Sequence, residues 1–233
     1  MKNFSHSTAP QSANARQAEA HRQAGLHAQR ARRWDVAALE FERALSLAPA
    51  DSLMWLNAAR SRMQQGAWDA ALEAATRAFE LDRADPVACR LLGELQLQMT
   101  RPEDAIATFA QLSPEAPRDH EYHNSVGNAL FQARRPREAI DAFFRALALK
   151  VDAPLVHYRL GLCFMDMAMA HESAECFRTA IALDDGVVRA LALSLVLHEG
   201  RQACDWEHND TDTRALLDAI DRKSTRLNSS HRP

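Results

Sequence analysis

Two histidines three residues apart open the stretch His120-Glu121-Tyr122-His123, a spacing that lets two imidazoles share a metal ion from one helical turn. A metal ion needs further ligands, so the stretch reads as a solvated turn, and His171 with Cys176 fares no better. The four cysteines, Cys89, Cys163, Cys176 and Cys204, lie far apart and form no C-x-x-C pair. In a reducing compartment they read as small buried apolar residues. Met165, Met167 and Met169 alternate, so a helix spreads them over different faces, and packing explains them better than a Met-rich binding surface. No glycine loop can cradle a phosphate, and no nucleophile sits in a recognisable motif. The expectation is therefore no catalytic residue, no metal and no cofactor in this chain.

The elements that carry these residues are ordinary in bulk. Of 233 residues, 47% are apolar and 25% charged, which suits a soluble globular protein. The net charge is −3 and the basic residues are scattered, which argues against nucleic acid or an anionic membrane surface as the main partner. No apolar run approaches the ~20 residues needed to span a bilayer. The opening MKNFSHSTAPQSANARQAEA lacks a hydrophobic block of signal-peptide type, so a cytoplasmic location is expected.

Self-similarity organises the rest. Gly93, Gly127 and Gly161 are spaced by 34 residues, with Gly25 two such steps before Gly93. Ala37, Ala71, Ala105 and Ala139 follow the same step, as do Ala44, Ala78, Ala146 and Ala180, with Leu112 in the remaining place. Phe109, Phe143 and Phe177 repeat it again, with Phe41 two steps earlier. Each unit reads as two helices, because apolar or small residues recur three to four apart, as in His157, Leu160, Gly161 and Phe164. Breakers fall between units at Pro49, Pro86, Pro117 and Pro154, while Pro102 and Pro136 sit at the turn inside a unit. Glycine within a helix costs ~1 kcal/mol relative to alanine, so its return at one phase implies close approach of two helices there.

These residues resemble the tetratricopeptide repeat, whose register asks for small, small, large and small residues at fixed positions. Five units follow: 18–51, 52–85, 86–119, 120–153 and 154–187. The second is loosest, with Ala59 for the glycine and Ala75 for the aromatic, although Trp55 fills the aromatic fourth position; the fifth has Ser173 where alanine is usual. The resemblance implies an all-α, right-handed superhelix (an α-solenoid) of about five helix-turn-helix repeats plus a capping segment. It also implies a concave groove for a protein or peptide partner. The groove-facing phases fall on Arg22, Gln23, Asn57 and Arg60, then on Arg90 and Glu94, then on Asn124, Asn128 and Arg159. Gln64, Gln98 and Gln132 lie deeper along the same helices. Amides there can pair with a main chain, and arginines favour carboxylates.

Beyond the fifth unit, Val188 to His198 begins a sixth, but its second helix does not follow on schedule. Cys204-Asp205-Trp206 introduces a polar turn, then a short amphipathic segment from Thr213 to Ile220; the span 188–220 is thus a partial repeat and junction or cap. That trio, with Asp210 and the helix beyond, resembles the junction of repeat and catalytic domains in the O-linked N-acetylglucosamine transferase and SPINDLY family. The resemblance implies a bacterial protein glycosyltransferase parent using a nucleotide sugar, with this chain as its substrate-recruiting part. The alternative is a free-standing adaptor or assembly factor, and self-association through repeats is open. Asp221 to His231 is similar, residue for residue, to a translated sequencing-library adapter, which implies that the natural gene runs on past Ile220; with little to bury, 221–233 is expected to be a disordered tail. The first 17 residues read as a polar N-terminal segment.

Overall fold

One residue in each turn between paired helices adopts a left-handed backbone, and these residues keep the sequence period. They are Arg32 (φ 56°), Gly66 (73°), Thr100 (57°), Arg134 (61°) and Ala168 (57°). Each is followed by an amide that reaches back five residues, as from Arg33 to the Ala28 carbonyl (2.9 Å) and from Arg135 to the Leu130 carbonyl (2.9 Å). This is the Schellman way of ending a helix: the left-handed residue turns the chain and satisfies a carbonyl that the helix leaves open. The same bond recurs at Ala67, Arg101 and Met169.

The computed structural model describes residues 9–184 and 186–229, with side chains from 13 to 184 and from 186 to 219. Among the described residues every regular element is a helix. The chain divides into two compact units, Met1–Pro117 and Arg118–Pro233. The first holds α1 (Ala9–Arg30), α2 (Trp34–Leu47), α3 (Ser52–Gln64), α4 (Trp68–Leu81), α5 (Pro86–Gln98) and α6 (Pro102–Ala110). The second holds α7 (His120–Gln132), α8 (Pro136–Leu149), α9 (Pro154–Asp166), α10 (Ala170–Leu183), α11 (Val187–Gln202) and α12 (Trp206–Ser229). Each unit is a run of three hairpins. Within it, each helix packs on its hairpin partner, and each hairpin's second helix packs on the first helix of the next.

Three first helices start on aspartates that also keep the period. Asp51 accepts from the Met54 amide (3.0 Å), Asp85 from Val87 (2.8 Å) and Asp119 from Tyr122 (2.8 Å). Each side chain satisfies one of the amides left open at a helix start. Pro86 and Pro154 then occupy the first helical position, where a missing N–H costs nothing.

The core between paired helices is built from a phenylalanine facing a glycine. Phe41, Phe109, Phe143 and Phe177 are all fully or almost fully buried. A β-carbon placed on Gly25, Gly93, Gly127 or Gly161 would lie 2.4–3.0 Å from the nearest ring atoms. Burying such a ring contributes ~1.5–3 kcal/mol, which outweighs the ~1 kcal/mol that a helical glycine costs. Ala37, Ala71, Ala105 and Ala139 are completely buried, as their phase requires. Ala59 and Ala75 are buried too, so the second hairpin closes on two small residues instead. Ser173 keeps its hydroxyl satisfied by donating to the Gly161 carbonyl (3.0 Å), and Trp55 donates to the Pro49 carbonyl (2.8 Å).

Helix α6 is cut short. Pro114 lies four residues beyond Ala110, where its ring would clash with the carbonyl of a continued helix. Leu112 and Ala116 still turn into the first unit, and the Ser113 amide bonds the Arg83 carbonyl (3.0 Å).

The sixth hairpin corrects the sequence reading, which stops it after one helix. Cys204 (φ 55°) is its left-handed residue, and the Asp205 amide reaches back to Gly200 (2.9 Å) as in the other turns. Helix α11 has 16 residues where α9 has 13, so the turn arrives two places late and the period hides it. Helix α12 begins at Trp206, not at Thr213, and its backbone stays helical through Ser229, where composition leads to the expectation of a disordered tail. Residues 230–233 lie outside the described residues. At the other end, α1 starts at Ala9 and Ala18 is buried, so much of the expected polar N-terminal segment is helix; residues 1–8 lie outside the described residues.

Candidate functional site

Some of the side chains singled out by the groove phases meet in one place within the first unit. A cleft of about 500 Å³ is lined by the end of α1 (Gln29, Arg30), the start of α2 (Trp34), the later half of α3 (Arg60, Met63, Gln64) and the first half of α5 (Val87, Arg90, Leu91, Glu94). Four of the twelve groove candidates, Arg60, Gln64, Arg90 and Glu94, line this one cavity. They converge because a helix brings residues three or four apart onto one face. Stacked first helices then repeat that face side by side.

The electrostatics of the cleft are lopsided: three arginines face one carboxylate. Arg90 and Glu94 approach at 3.7 Å along α5, with Arg90 the more buried of the two. Arg30 and Arg60 are exposed and hold no ion pair or hydrogen bond with a described residue. Met63, Val87, Leu91 and Trp34 add apolar surface beside these charges. Such a site can seat an apolar side chain while a guanidinium meets a carboxylate. Gln98 joins a second cleft of about 620 Å³ with Trp68 and Leu95, and that cleft shares Met63, Gln64 and Glu94 with the first.

The other candidates go elsewhere. Asn57 is only 7% exposed, so it does not line a groove; its carbonyl accepts from Gln29 (3.0 Å) and Ser61 (2.9 Å) where α1 meets α3. Arg22 and Gln23 both bond Glu19 on their own helix (2.6 and 2.7 Å). These bonds hold the Glu19 carboxyl down at about 2, the arginine contributing most and the glutamine next. In the second unit Arg159 donates to Asn124 Oδ1 (2.7 Å), joining α9 to α7, with Asn128 half-buried and Gln132 exposed. His123 packs edge-on to Tyr122, and its pKa is lowered, mainly by burial and then by Arg145 and Arg118.

Cys204, Asp205 and Trp206 form the turn of the sixth hairpin, and Asp205 has a further role that spacing alone does not disclose. Arg178 on α10 reaches Asp205 (2.8 Å), Asp212 (3.0 Å) and its own neighbour Glu175 (2.6 Å). Arg178 is 16% exposed at its side chain, and Gly200 leaves room for it: a β-carbon there would sit 3.2 Å from the guanidinium. Asp205 also bonds the His208 ring (3.0 Å). Its pKa is lowered by that bond first and by the Arg178 charge next, against the opposing effect of burial. Arg178 therefore ties the last helix to the repeat before it.

With helices, turns and packing in place, the wider comparison is decisive. The tetratricopeptide repeat pattern matches residues 13–86 and 127–186, more than half of the chain, and a second pattern of that description matches 62–128. The chain belongs to the tetratricopeptide repeat family. Its fold class is the all-helical repeat solenoid of that family. No curated protein matches the sequence. Among solved structures, this tetratricopeptide repeat chain is similar to the Pseudomonas aeruginosa pilF protein, with a TM-score of 0.72 at 16% identity over 88% of this chain and 92% of that one. It is also similar to YrrB, described as a TPR protein with an unusual peptide-binding site (TM-score 0.62, 18% identity, 82% of this chain and 97% of that one). A third is MamA of Desulfovibrio magneticus (0.66, 17%, 73% and 98%). At these identities the likeness shows the fold alone. Among the described residues no helix is long and apolar enough to cross a membrane.

Proposed function

We propose that this chain is a protein-interaction module that holds an extended peptide segment of a partner protein in the cleft of its first unit. One observation carries the reading: Arg30, Arg60 and Arg90 converge with Met63, Leu91 and Trp34 around a single open cavity. Gln64 offers both a donor and an acceptor to a peptide main chain, and Gln29, whose amide nitrogen already donates to the Asn57 carbonyl and the Ser61 hydroxyl, offers its carbonyl oxygen. The partner is a protein or peptide rather than nucleic acid, since three clustered cations do not make the extended basic track that a phosphate backbone needs.

The test is selection of binders from a displayed random-peptide library against the full chain, followed by Arg60→Glu with Arg90→Glu. The double variant should lose the selected peptides while keeping its helical circular dichroism. Failure to select any peptide, or undiminished binding by the variant, would discard the site.

A finer proposal concerns the setting. The resemblance carried by Cys204-Asp205-Trp206, in the turn of the sixth hairpin, supports a substrate-recruiting role for a protein O-glycosyltransferase, with a nucleotide sugar bound by a catalytic domain outside this chain. The sixth hairpin, locked by Arg178, favours a second reading in which α12 caps a free-standing adaptor. The genomic reading frame past the Ile220 codon separates them: a long α/β-patterned continuation supports the transferase, and an early stop supports the adaptor.

A further inference from the structure

Trp34 and Trp68 occupy the same repeat phase, the first residue of the second helix in successive hairpins. Each lines its own cleft: Trp34 stands with Arg60, Val87, Arg90 and Leu91, and Trp68 with Leu95 and Gln98. The two clefts share Met63, Gln64 and Glu94, so they form one continuous trough with a tryptophan along each half. Trp68 is 39% exposed, which leaves much of the indole open to a ligand. At the same phase in the next three hairpins stand Pro102, Pro136 and Ala170, so within the first unit the aromatic pair belongs to the first two hairpins; Trp206 opens α12 in the second unit.

Charge is distributed unevenly along the trough. The Trp34 half contains Arg30, Arg60 and Arg90, whereas the Trp68 half has Glu94 as its one charged side chain, shared with its neighbour. An occupant that suits both halves carries negative charge at one end of an apolar pair and none at the other. Helices α2 and α4 both pack on α3 between them. With packed helices roughly 8–10 Å apart and an extended chain advancing about 3.3 Å per residue, equivalent positions one hairpin apart are matched by side chains roughly three to six residues apart.

We propose that the trough selects an extended peptide with two large apolar side chains roughly three to six residues apart, one seated by Trp34 and the other by Trp68, and with a carboxylate beside the first. Arg60 and Arg90 take the carboxylate, Met63 lies under both apolar side chains, and Gln64 and Gln98 pair with the main chain between and beyond them. This inference rests on the peptide-binding reading of the cleft and adds its sequence preference.

The test uses a series of fluorescein-labelled peptides in a glycine-serine background that carry two leucines roughly three to six residues apart and a glutamate next to one of them. Fluorescence anisotropy with the full chain should give saturable binding. Replacing the glutamate with lysine should weaken it by about tenfold, as loss of a charge-assisted contact does. Trp68→Ala should weaken it by roughly fivefold at a temperature well below the variant's own melting midpoint, which loss of the buried part of the ring should lower. Trp34 is more buried, so Trp34→Phe is the companion variant and should blunt peptide-induced quenching of tryptophan emission.

Library-selected peptides that bind through Arg60 and Arg90 but lack the acidic-apolar pattern, or are indifferent to both tryptophan variants, would overturn this preference and leave the cleft reading standing. Absence of any selected peptide would remove the cleft reading itself. Self-association of the chain that Trp68→Ala abolishes would show that a second copy fills the trough, and would also overturn the proposal.

Discussion

Phe109 Cζ lies 2.4 Å from the point where a β-carbon on Gly93 would stand. No real pair of atoms tolerates that distance, so the glycine is a condition for the ring being where it is. Gly93→Ala should push the ring off its packing position and destabilise the protein by about 1–3 kcal/mol. Urea denaturation measures it. Ala59→Gly is the contrasting change: Ala75 stands where the other hairpins have a ring, so the variant should cost only about 1 kcal/mol, the helix-propensity difference.

Left-handed turn residues give a prediction of opposite sign. Arg134 holds φ 61°, and its side chain is almost fully exposed, with one long contact of 3.4 Å to Asp166. A side chain in that region costs roughly 1–2 kcal/mol, partly offset by the chain entropy that glycine adds to the unfolded state. Arg134→Gly should therefore stabilise the protein by about 0.5–1 kcal/mol. A lower thermal midpoint would mean that Arg134 is held by contacts stronger than these.

Arg178 anchors the end of the second unit. Arg178→Met leaves Asp205 and Asp212 close together and without their shared cation. Amide hydrogen exchange should accelerate along α12 from Trp206 onward, while α9 changes little.

The same contacts set a pH dependence. The folded pKa of Asp205 lies below its unfolded value, because the His208 bond and the Arg178 charge favour the carboxylate. Its stabilising contribution is therefore present above the unfolded pKa and is lost as pH falls through the folded one. Glu175, Asp212 and His208 face the same cluster. Acid titration followed by exchange on α12 should show earlier loosening there than in the rest of the unit. Asp205→Asn should remove most of that difference.

Thiol chemistry separates the four cysteines. Burial pushes the Cys163 thiol up to about 12 and Cys176 up to about 11, and Cys89 is fully buried with its sulfur toward the Thr108 carbonyl. Cys204 is exposed on its turn. A thiol reagent at mildly alkaline pH should label Cys204 first and alone in the native protein, as peptide mapping by mass spectrometry will show. Cys204→Ser should abolish the fast phase.

The residues that repeat were legible because each does one job at one phase. Glycine admits a ring, alanine closes the hairpin and phenylalanine fills it, so their 34-residue step exposed five hairpins. The aspartate caps and left-handed turn residues follow that step too, but the turn position tolerates arginine, threonine and alanine as well as glycine. Backbone geometry recurs there without a recurring side chain. The sixth hairpin escaped notice for a related reason: the longer α11 displaced its turn, and side-chain periodicity cannot follow an insertion.

Within the five regular repeats, sequence alone therefore determined the local code: which stretches are helices, where they pair and which small residues let them close. Tertiary structure decided what the polar residues do, because a helix phase gives a direction but not a neighbour. It turned Asn57 inward, tied Arg22 to Glu19 and Arg159 to Asn124, and left Arg60 open beside Arg90. It also brought Arg178 to Asp205 and Asp212 across hairpins. Those outcomes depend on distances between side chains far apart in the chain, which packing sets and spacing does not encode.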